Sequence, residues 1–293
     1  MAKALMIQGT ASGVGKTVIT TALCRIFKQD GYKVSPFKAQ NMTANTAFTK
    51  GGNGAEGAGE MAISQLLQAY AAGVEPSADM SPVVLKPSPE KTGTQVILNG
   101  SYYVTIDAYN FKEIKKNLVP EIMRAYNNLS RQYDIIVIEG AGSPVELNLT
   151  KRSGDIVNMG MAKRVSAPVL MVADIDRGGV FASLHGTLGL LDESEREYVK
   201  ATIINRFKGE IAYFAEGVQI LEEITGLPVA GVVPYIQFEL PEEDGLYNDT
   251  GAICVSDNNF DRQFDLIAAH VRQSLDMDLI YNIINGGVEN NYE

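Results

Sequence analysis

The chain has 293 residues, 45% of them hydrophobic and 20% charged, with a formal net charge of −10, enough to bury a substantial core in one large domain or two modest ones. The acidic balance argues against nucleic acid and anionic membranes as general partners, since both demand a basic surface, whereas a small anionic substrate needs only a few local cations. No apolar run reaches the ~18 residues that span a bilayer, no signal-peptide pattern precedes the strand-like Ala4–Gln8, and two cysteines, Cys24 and Cys254, lack metal-ligand spacing, so a cytoplasmic location is expected.

From the N-terminus, short β-branched runs alternate with longer helical patterns, which predicts an α/β fold with a mostly parallel sheet flanked by helices. Strands are expected at Ala4–Gln8, Lys33–Phe37, Ile135–Ile138, Val169–Ala173, Thr202–Ile204 and Val229–Val233. Helices are expected at Thr17–Gln29, Met61–Ala71, Phe111–Leu129 and Phe181–Leu191, with Pro120 kinking or splitting the third. The stretch Pro82–Thr105 alternates apolar and polar residues and reads as strands or an irregular insertion. Glu239–Val255 is acidic and glycine-containing, so the chain divides into a domain over 1–240, a linker over 241–259, and a terminal helix with its tail over 260–293. In that last segment Phe260, Phe264, Ile267, Val271, Leu275 and Leu279 form one apolar stripe, with Asp257, Asn258 and Asn259 as candidate N-caps. Such a stripe must dock on its own domain or on a partner. His185 and His270, the only histidines, lie in no triad or metal motif and are expected to be structural.

The strongest local signal is GTASGVGKT at residues 9–17, directly after a strand and opening a helix. Glycines let backbone N–H groups turn toward phosphates, and a helix N-terminus adds a favourable dipole. This is a P-loop NTPase-like arrangement, in which Gly9, Thr10, Ser12, Gly13, Val14, Gly15, Lys16 and Thr17 bind ATP. Lys16 bridges the β- and γ-phosphates and the Thr17 hydroxyl ligates Mg²⁺. The strict spacing puts a glycine five residues before Gly15, where Thr10 stands, so Gly9 comes one step early. That variant resembles the loop of dethiobiotin synthetase and its amidating relatives. Partition-type switch ATPases carry an extra lysine at the position of Ala11, which tells against that alternative.

Other residues gather by type and place. The strand YDIIVIE ends on Glu139 and a glycine turn, and ligands of parallel sheets bind beyond the carboxyl ends of strands, so Glu139 is expected to hold Mg²⁺. Lys38 follows the second strand and is expected to meet a substrate carboxylate. Asp174, Asp176 and Arg177 follow another strand, where capping and ion pairing compete with positioning of substrate or phosphate; Asp176 and Arg177 are taken as catalytic candidates beside Lys16 and Lys38.

The strings PFKAQNM at 36–42, AGVEP at 72–76, EGAGSP at 139–144, DIVNMG at 155–160, DIDRGGVFAS at 174–183 and IINRF at 203–207 resemble, in order, the cobyric acid synthase family over residues 1 to about 245. The resemblance implies a dethiobiotin-synthetase-like ATP domain that amidates the b, d, e and g carboxylates of adenosylcobyrinic acid a,c-diamide in cobalamin synthesis. Acyl phosphates form first and ammonia displaces the phosphate. It also assigns Asn205 to the adenine base and Glu60 to a further metal contact, although Met61-Ala62 follows Glu60 where the family has Gly-Arg. A dethiobiotin-synthetase-like carboxylase remains the nearest enzymatic alternative. Full-length members continue into a glutaminase with an elbow cysteine. Neither Cys24 nor Cys254 fits that elbow, and Phe264–Ile284 resembles the far end of the family. Ammonia is therefore expected from solution or from a separate glutaminase subunit, a truncated chain being the third alternative, and a homodimer is compatible with the sequence.

Overall fold

A computed structural model of the chain describes residues 1–50, 58–88, 93–107, 111–146, 154–238, 240 and 259–286. In chain order the first elements are β1 (Lys3–Gly9), α1 (Lys16–Gln29), β2 (Val34–Phe37), β3 (Asn41–Met42), β4 (Thr46–Lys50), β5 (Ala58–Ala62), α2 (Ile63–Ala72), β6 (Val83–Ser88), β7 (Gly93–Leu98) and β8 (Ser101–Ile106). There follow α3 (Phe111–Ser130), β9 (Ile135–Glu139), α4 (Met159–Val165), β10 (Val169–Asp174), α5 (Val180–Leu190), α6 (Glu193–Arg196) and β11 (Val199–Phe207). The last are α7 (Ala215–Thr225), β12 (Val229–Pro234), α8 (Asn259–Ser274) and α9 (Met277–Ile284). These residues form two compact units: one of Met1–Ala2, Leu23–Ile138 and Phe238–Asp265, the other of Lys3–Ala22, Glu139–Gln237 and Leu266–Glu293. Among the described residues no helix is long and apolar enough to cross a membrane.

In the second unit the strands run β12-β11-β10-β1, every neighbouring pair parallel. Their sequences are continuous apolar runs because both faces are covered: Leu5, Met6 and Ile7 of β1 and Val169–Ala173 of β10 have no exposed surface. Helix α5 covers β10, α7 covers β12, and α9 packs on β1 and β12. Parallel pairing brings the carboxyl ends of these strands to one edge, with Asp174 opposite Asn205 in register. The first unit holds a parallel pair, β2 with β9, a mixed sheet β3-β6-β7-β8 and a β4–β5 hairpin. The P-loop NTPase-like α/β class read from the sequence is the class found.

Three details differ from the sequence reading. The segment placed at the start of a helix from Met61 instead ends a hairpin, and α2 begins at Ile63. In β5 glycine and alanine fill three of five positions and give little periodic signal. Pro120 does not split α3, which runs unbroken for 20 residues. Leu118, Ile122, Ala125 and Leu129 are buried on both sides of the proline, which itself faces solvent, so packing outweighs one lost backbone bond. The terminal stripe is two helices rather than one: the chain breaks at Leu275, where it bridges Gly231, and Asp276 caps α9 by accepting from the Leu279 N–H at 2.9 Å. Phe264, Ile267, Val271 and Leu275 are buried within the chain itself. The linker residues 241–258, with Cys254, Asp257 and Asn258, and the tail 287–293 lie outside the described residues.

Candidate functional site

The loop between β1 and α1 is built by its glycines. Gly13 and Gly15 have φ of 73° and 99°, the left-handed region that side chains disfavour. A Cβ on Gly15 would lie 2.0 Å from Asn205 Nδ2, so that position has no room for any other residue. Thr10 N–H donates to the Val172 carbonyl at 3.0 Å, anchoring the loop's start on β10. Ala11, Ser12 and Gly13 are exposed while Val14 is buried, so the loop offers its backbone outward and ties itself down by one apolar side chain.

Lys16 is the first residue of α1 and is only 7% exposed. Its Nζ donates to the Ala11 carbonyl at 3.0 Å and to the Gly142 carbonyl at 2.9 Å, so the loop and the turn after β9 share one cation. Thr17 Oγ1 donates to Glu139 Oε1 at 2.9 Å. Glu139 is 1% exposed, and a buried carboxylate needs such partners. A hydroxyl and a carboxylate oxygen side by side are the kind of hard oxygen donors that a divalent cation such as Mg²⁺ would take. The adjoining backbone of residues 10–15 suits phosphate by the opposite polarity, through N–H donors at the start of a helix.

Asn205, 5% exposed at the end of β11, donates from Nδ2 to the Val14 carbonyl at 2.9 Å, so its amide nitrogen braces the phosphate loop. Beyond it the strand ends carry charges. Arg206, with φ 61°, pairs with Asp174 Oδ2 at 2.9 Å, and Asp174 Oδ1 accepts the Asp176 N–H at 2.8 Å. Asp176, exposed, pairs with Lys208 at 2.7 Å, and Lys208 lies over the Tyr235 ring. The carboxylate of Asp176 holds the Lys208 ammonium pKa above its ordinary value. Arg177 is exposed on the turn into α5.

The first unit contains the other two predicted residues. Lys38, 5% exposed just after β2, has its N–H on the Met80 carbonyl. Glu60, on β5, is bound by Lys86 Nζ and by the Thr46 hydroxyl, so its carboxylate closes a local ion pair between the hairpin and β6.

Residues 5–245 match the family described as "CobQ/CobB/MinD/ParA nucleotide binding domain". The chain belongs to that nucleotide-binding family. It is 52% identical over 250 residues to a cobyric acid synthase of Lachnoclostridium phytofermentans, covering 84% of this chain and 47% of the relative. It is 51% identical over 246 residues to that of Streptococcus sanguinis, covering 84% and 48%. Against the cobyric acid synthase of Citrobacter koseri it is 46% identical over 271 residues, covering 92% and 51%. The chain thus spans about half the length of these curated relatives. A solved MinD cell division protein of Aquifex aeolicus superposes with a TM-score of 0.41 at 17% identity, covering 80% of this chain and 82% of that one.

Within this nucleotide-binding domain the structure gathers Gly9, Thr10, Ser12, Gly13, Val14, Gly15, Lys16, Thr17, Glu139 and Asn205 in one unit. Sequence reading missed the Gly142 carbonyl as a Lys16 partner and Asn158 as a support of that turn. It also missed Arg206 and Lys208 as the partners of Asp174 and Asp176. The family strings containing Gly142, Asn158 and Arg206 were visible signals without an assigned role. His185 and His270 donate to the Ile224 and Pro234 carbonyls at 3.1 and 2.8 Å, contacts that suit structural histidines.

Proposed function

We propose that the chain uses ATP and Mg²⁺ to activate the b, d, e and g carboxylates of adenosylcobyrinic acid a,c-diamide for amidation by ammonia, as a cobyric acid synthase does in cobalamin biosynthesis. The observation that carries this reading is the convergence of Lys16, Thr17 and Glu139 at the phosphate loop, in a chain about half identical to proteins of that name. Carboxylate and ammonia do not condense at neutral pH without a leaving group. Transfer of the γ-phosphoryl to a carboxylate oxygen gives ADP and an acyl phosphate; ammonia then attacks the acyl carbon and inorganic phosphate leaves. The protein's work is to hold two anions together and offset their charge.

Lys16 leaves its carbonyl partners to neutralise the γ-phosphate, and the residues 9–15 cradle the phosphate oxygens. Thr17 and Glu139 would hold Mg²⁺, which when bound would neutralise charge on the phosphate oxygens. Asn205 borders the base, combining that contact with its brace on Val14. Lys38 draws in the substrate carboxylate, and Asp176 and Arg177 position the polycarboxylate from the strand ends. Cys24 is buried in α1, an unsuitable setting for a glutamine-attacking thiolate, so it is not the proposed nitrogen-releasing nucleophile; ammonia is drawn from solution or from a glutaminase, whether a separate subunit or part of a longer chain.

The test is mass spectrometry of products after incubation with ATP, Mg²⁺, ammonium and the corrinoid acid. Successive losses of one acid and gains of one amide are expected, with a rate that rises with pH as the free NH₃ fraction grows. Amidation from glutamine alone, with contaminating glutaminase excluded, contradicts the nitrogen assignment. ATP turnover that ignores the corrinoid and responds only to protein partners contradicts the ligase reading as a whole.

A further inference from the structure

The string DIVNMG at 155–160 is accounted for by none of the roles above, yet it is locked against the turn that follows Glu139. Asp155 Oδ1 accepts the N–H groups of Val157 and Asn158 at 2.9 and 3.0 Å, and its Oδ2 accepts that of Gly160 at 2.8 Å. Arg164 Nη1 donates to the Asp155 carbonyl at 3.1 Å. This closed turn fixes the backbone of Asn158, whose side chain is buried at 3% exposure. Its amide then pairs with both ends of one residue: Nδ2 donates to the Ala141 carbonyl at 2.7 Å, and Oδ1 accepts the Ala141 N–H at 3.1 Å.

Ala141 sits between two glycines. Without a brace, Gly140 and Gly142 would leave this turn many conformations. On one side is Glu139, whose carboxylate meets Thr17; on the other is Gly142, whose carbonyl receives Lys16. The approach is close enough that a Cβ on Gly140 would lie 2.3 Å from Asn158 Oδ1.

We infer that Asn158 is a positioning residue for the Mg²⁺–nucleotide site, setting Glu139 and the Gly142 carbonyl through the peptide groups of Ala141. Only a group with one donor and one acceptor side by side can do this; an ionised carboxylate has acceptors only. The inference rests on the nucleotide-site reading proposed above, so its test reads binding rather than amidation.

ATP binding is measured by calorimetry on the whole chain, with Mg²⁺ titrated from chelated to saturating levels. For Asn158→Leu the Mg²⁺-free affinity should stay within ~3-fold of the unaltered chain, while the gain in affinity produced by Mg²⁺ falls ~10–100-fold, as for lost outer-shell partners of metal sites. A residue that merely supports the fold would lower the binding stoichiometry or the melting temperature and leave both affinities per site unchanged; that result overturns the inference. Should Asn158→Leu fail to fold, Asn158→Asp decides. Its Mg²⁺-dependent affinity, taken as a ratio to the unaltered chain, should recover as pH falls, because a protonated carboxyl again offers a donor beside an acceptor. A ratio flat with pH overturns the inference. Absence of Mg²⁺-dependent ATP binding in the unaltered chain instead overturns the nucleotide site itself.

Discussion

The phosphate loop and the charged ends of β10 and β11 belong to one unit and lie on consecutive features of one sheet edge, but they are held in opposite ways. At the loop, Lys16 and Glu139 are almost wholly buried and bonded to the Ala11 and Gly142 carbonyls and to Thr17. At the strand ends, Asp176, Arg177 and Lys208 face solvent, and Asp176 is tied to Lys208 by an exposed ion pair. Burial makes unsatisfied polar atoms costly, so the loop admits one geometry. Water screens the rim charges, so they can follow a bulky ligand without fixing it. The difference separates residues fit for chemistry at fixed distances from residues fit for recognition.

The largest effect should come from Lys16→Ala. Removing the charge proposed to face the transferring phosphoryl group should cost ~3–4 kcal/mol in the transition state, so single-turnover phosphate transfer should fall by two to three orders of magnitude while the chain still folds. Near-normal transfer would erase the distinction between loop and rim. Glu139→Gln keeps shape and removes charge. Turnover should drop ~10–100-fold and the Mg²⁺ concentration for half-maximal rate should rise; an unchanged Mg²⁺ titration would return Glu139 to a purely structural bond with Thr17.

An intermediate case lies in the first unit. Arg25 is 7% exposed and bonded to Asp265 at 2.7 Å and Asp261 at 3.0 Å, both carboxylates being largely exposed. Asp265→Ala leaves a buried donor short of a partner, so thermal or denaturant unfolding should show a loss of ~1–3 kcal/mol without a change in Mg²⁺ dependence. The hydrogen bond from Arg25 lowers the Asp265 pKa. A depressed carboxyl stabilises the fold above its unfolded pKa of ~3.9 and loses that contribution as pH falls through the folded value. The stability gap between the unaltered chain and Asp265→Ala should therefore hold at neutral pH and close below about pH 4. A gap that persists in strong acid would assign the loss to packing instead.

The smallest effects belong to the rim. Asp176→Asn and Arg177→Ala should change KM for the proposed corrinoid substrate by ~2–5-fold, the range of exposed charge pairs, with that change shrinking as salt is added. A kcat loss as large as that of Lys16→Ala would show that these side chains reach the reacting atoms and would break the comparison outright.

The sequence alone determined the local parts. The phosphate loop is written in consecutive residues from Gly9 to Thr17, and buried parallel strands announce themselves as unbroken apolar runs. Glu139 was legible because a carboxylate ending such a run must lie at the carboxyl edge of the sheet. Connectivity fixes these features before any packing occurs. The tertiary structure decided what crosses the chain: Lys16 reaching the Gly142 carbonyl 126 residues away, and Asn205 reaching Val14 across 191. It also decided that Asn158 grips Ala141, that packing carries α3 through Pro120, and that the terminal stripe breaks at Leu275 to bridge Gly231. No periodicity encodes those pairings, because a carbonyl partner leaves no trace in residue type. They follow instead from which strands become neighbours and which polar groups burial then obliges to find one another.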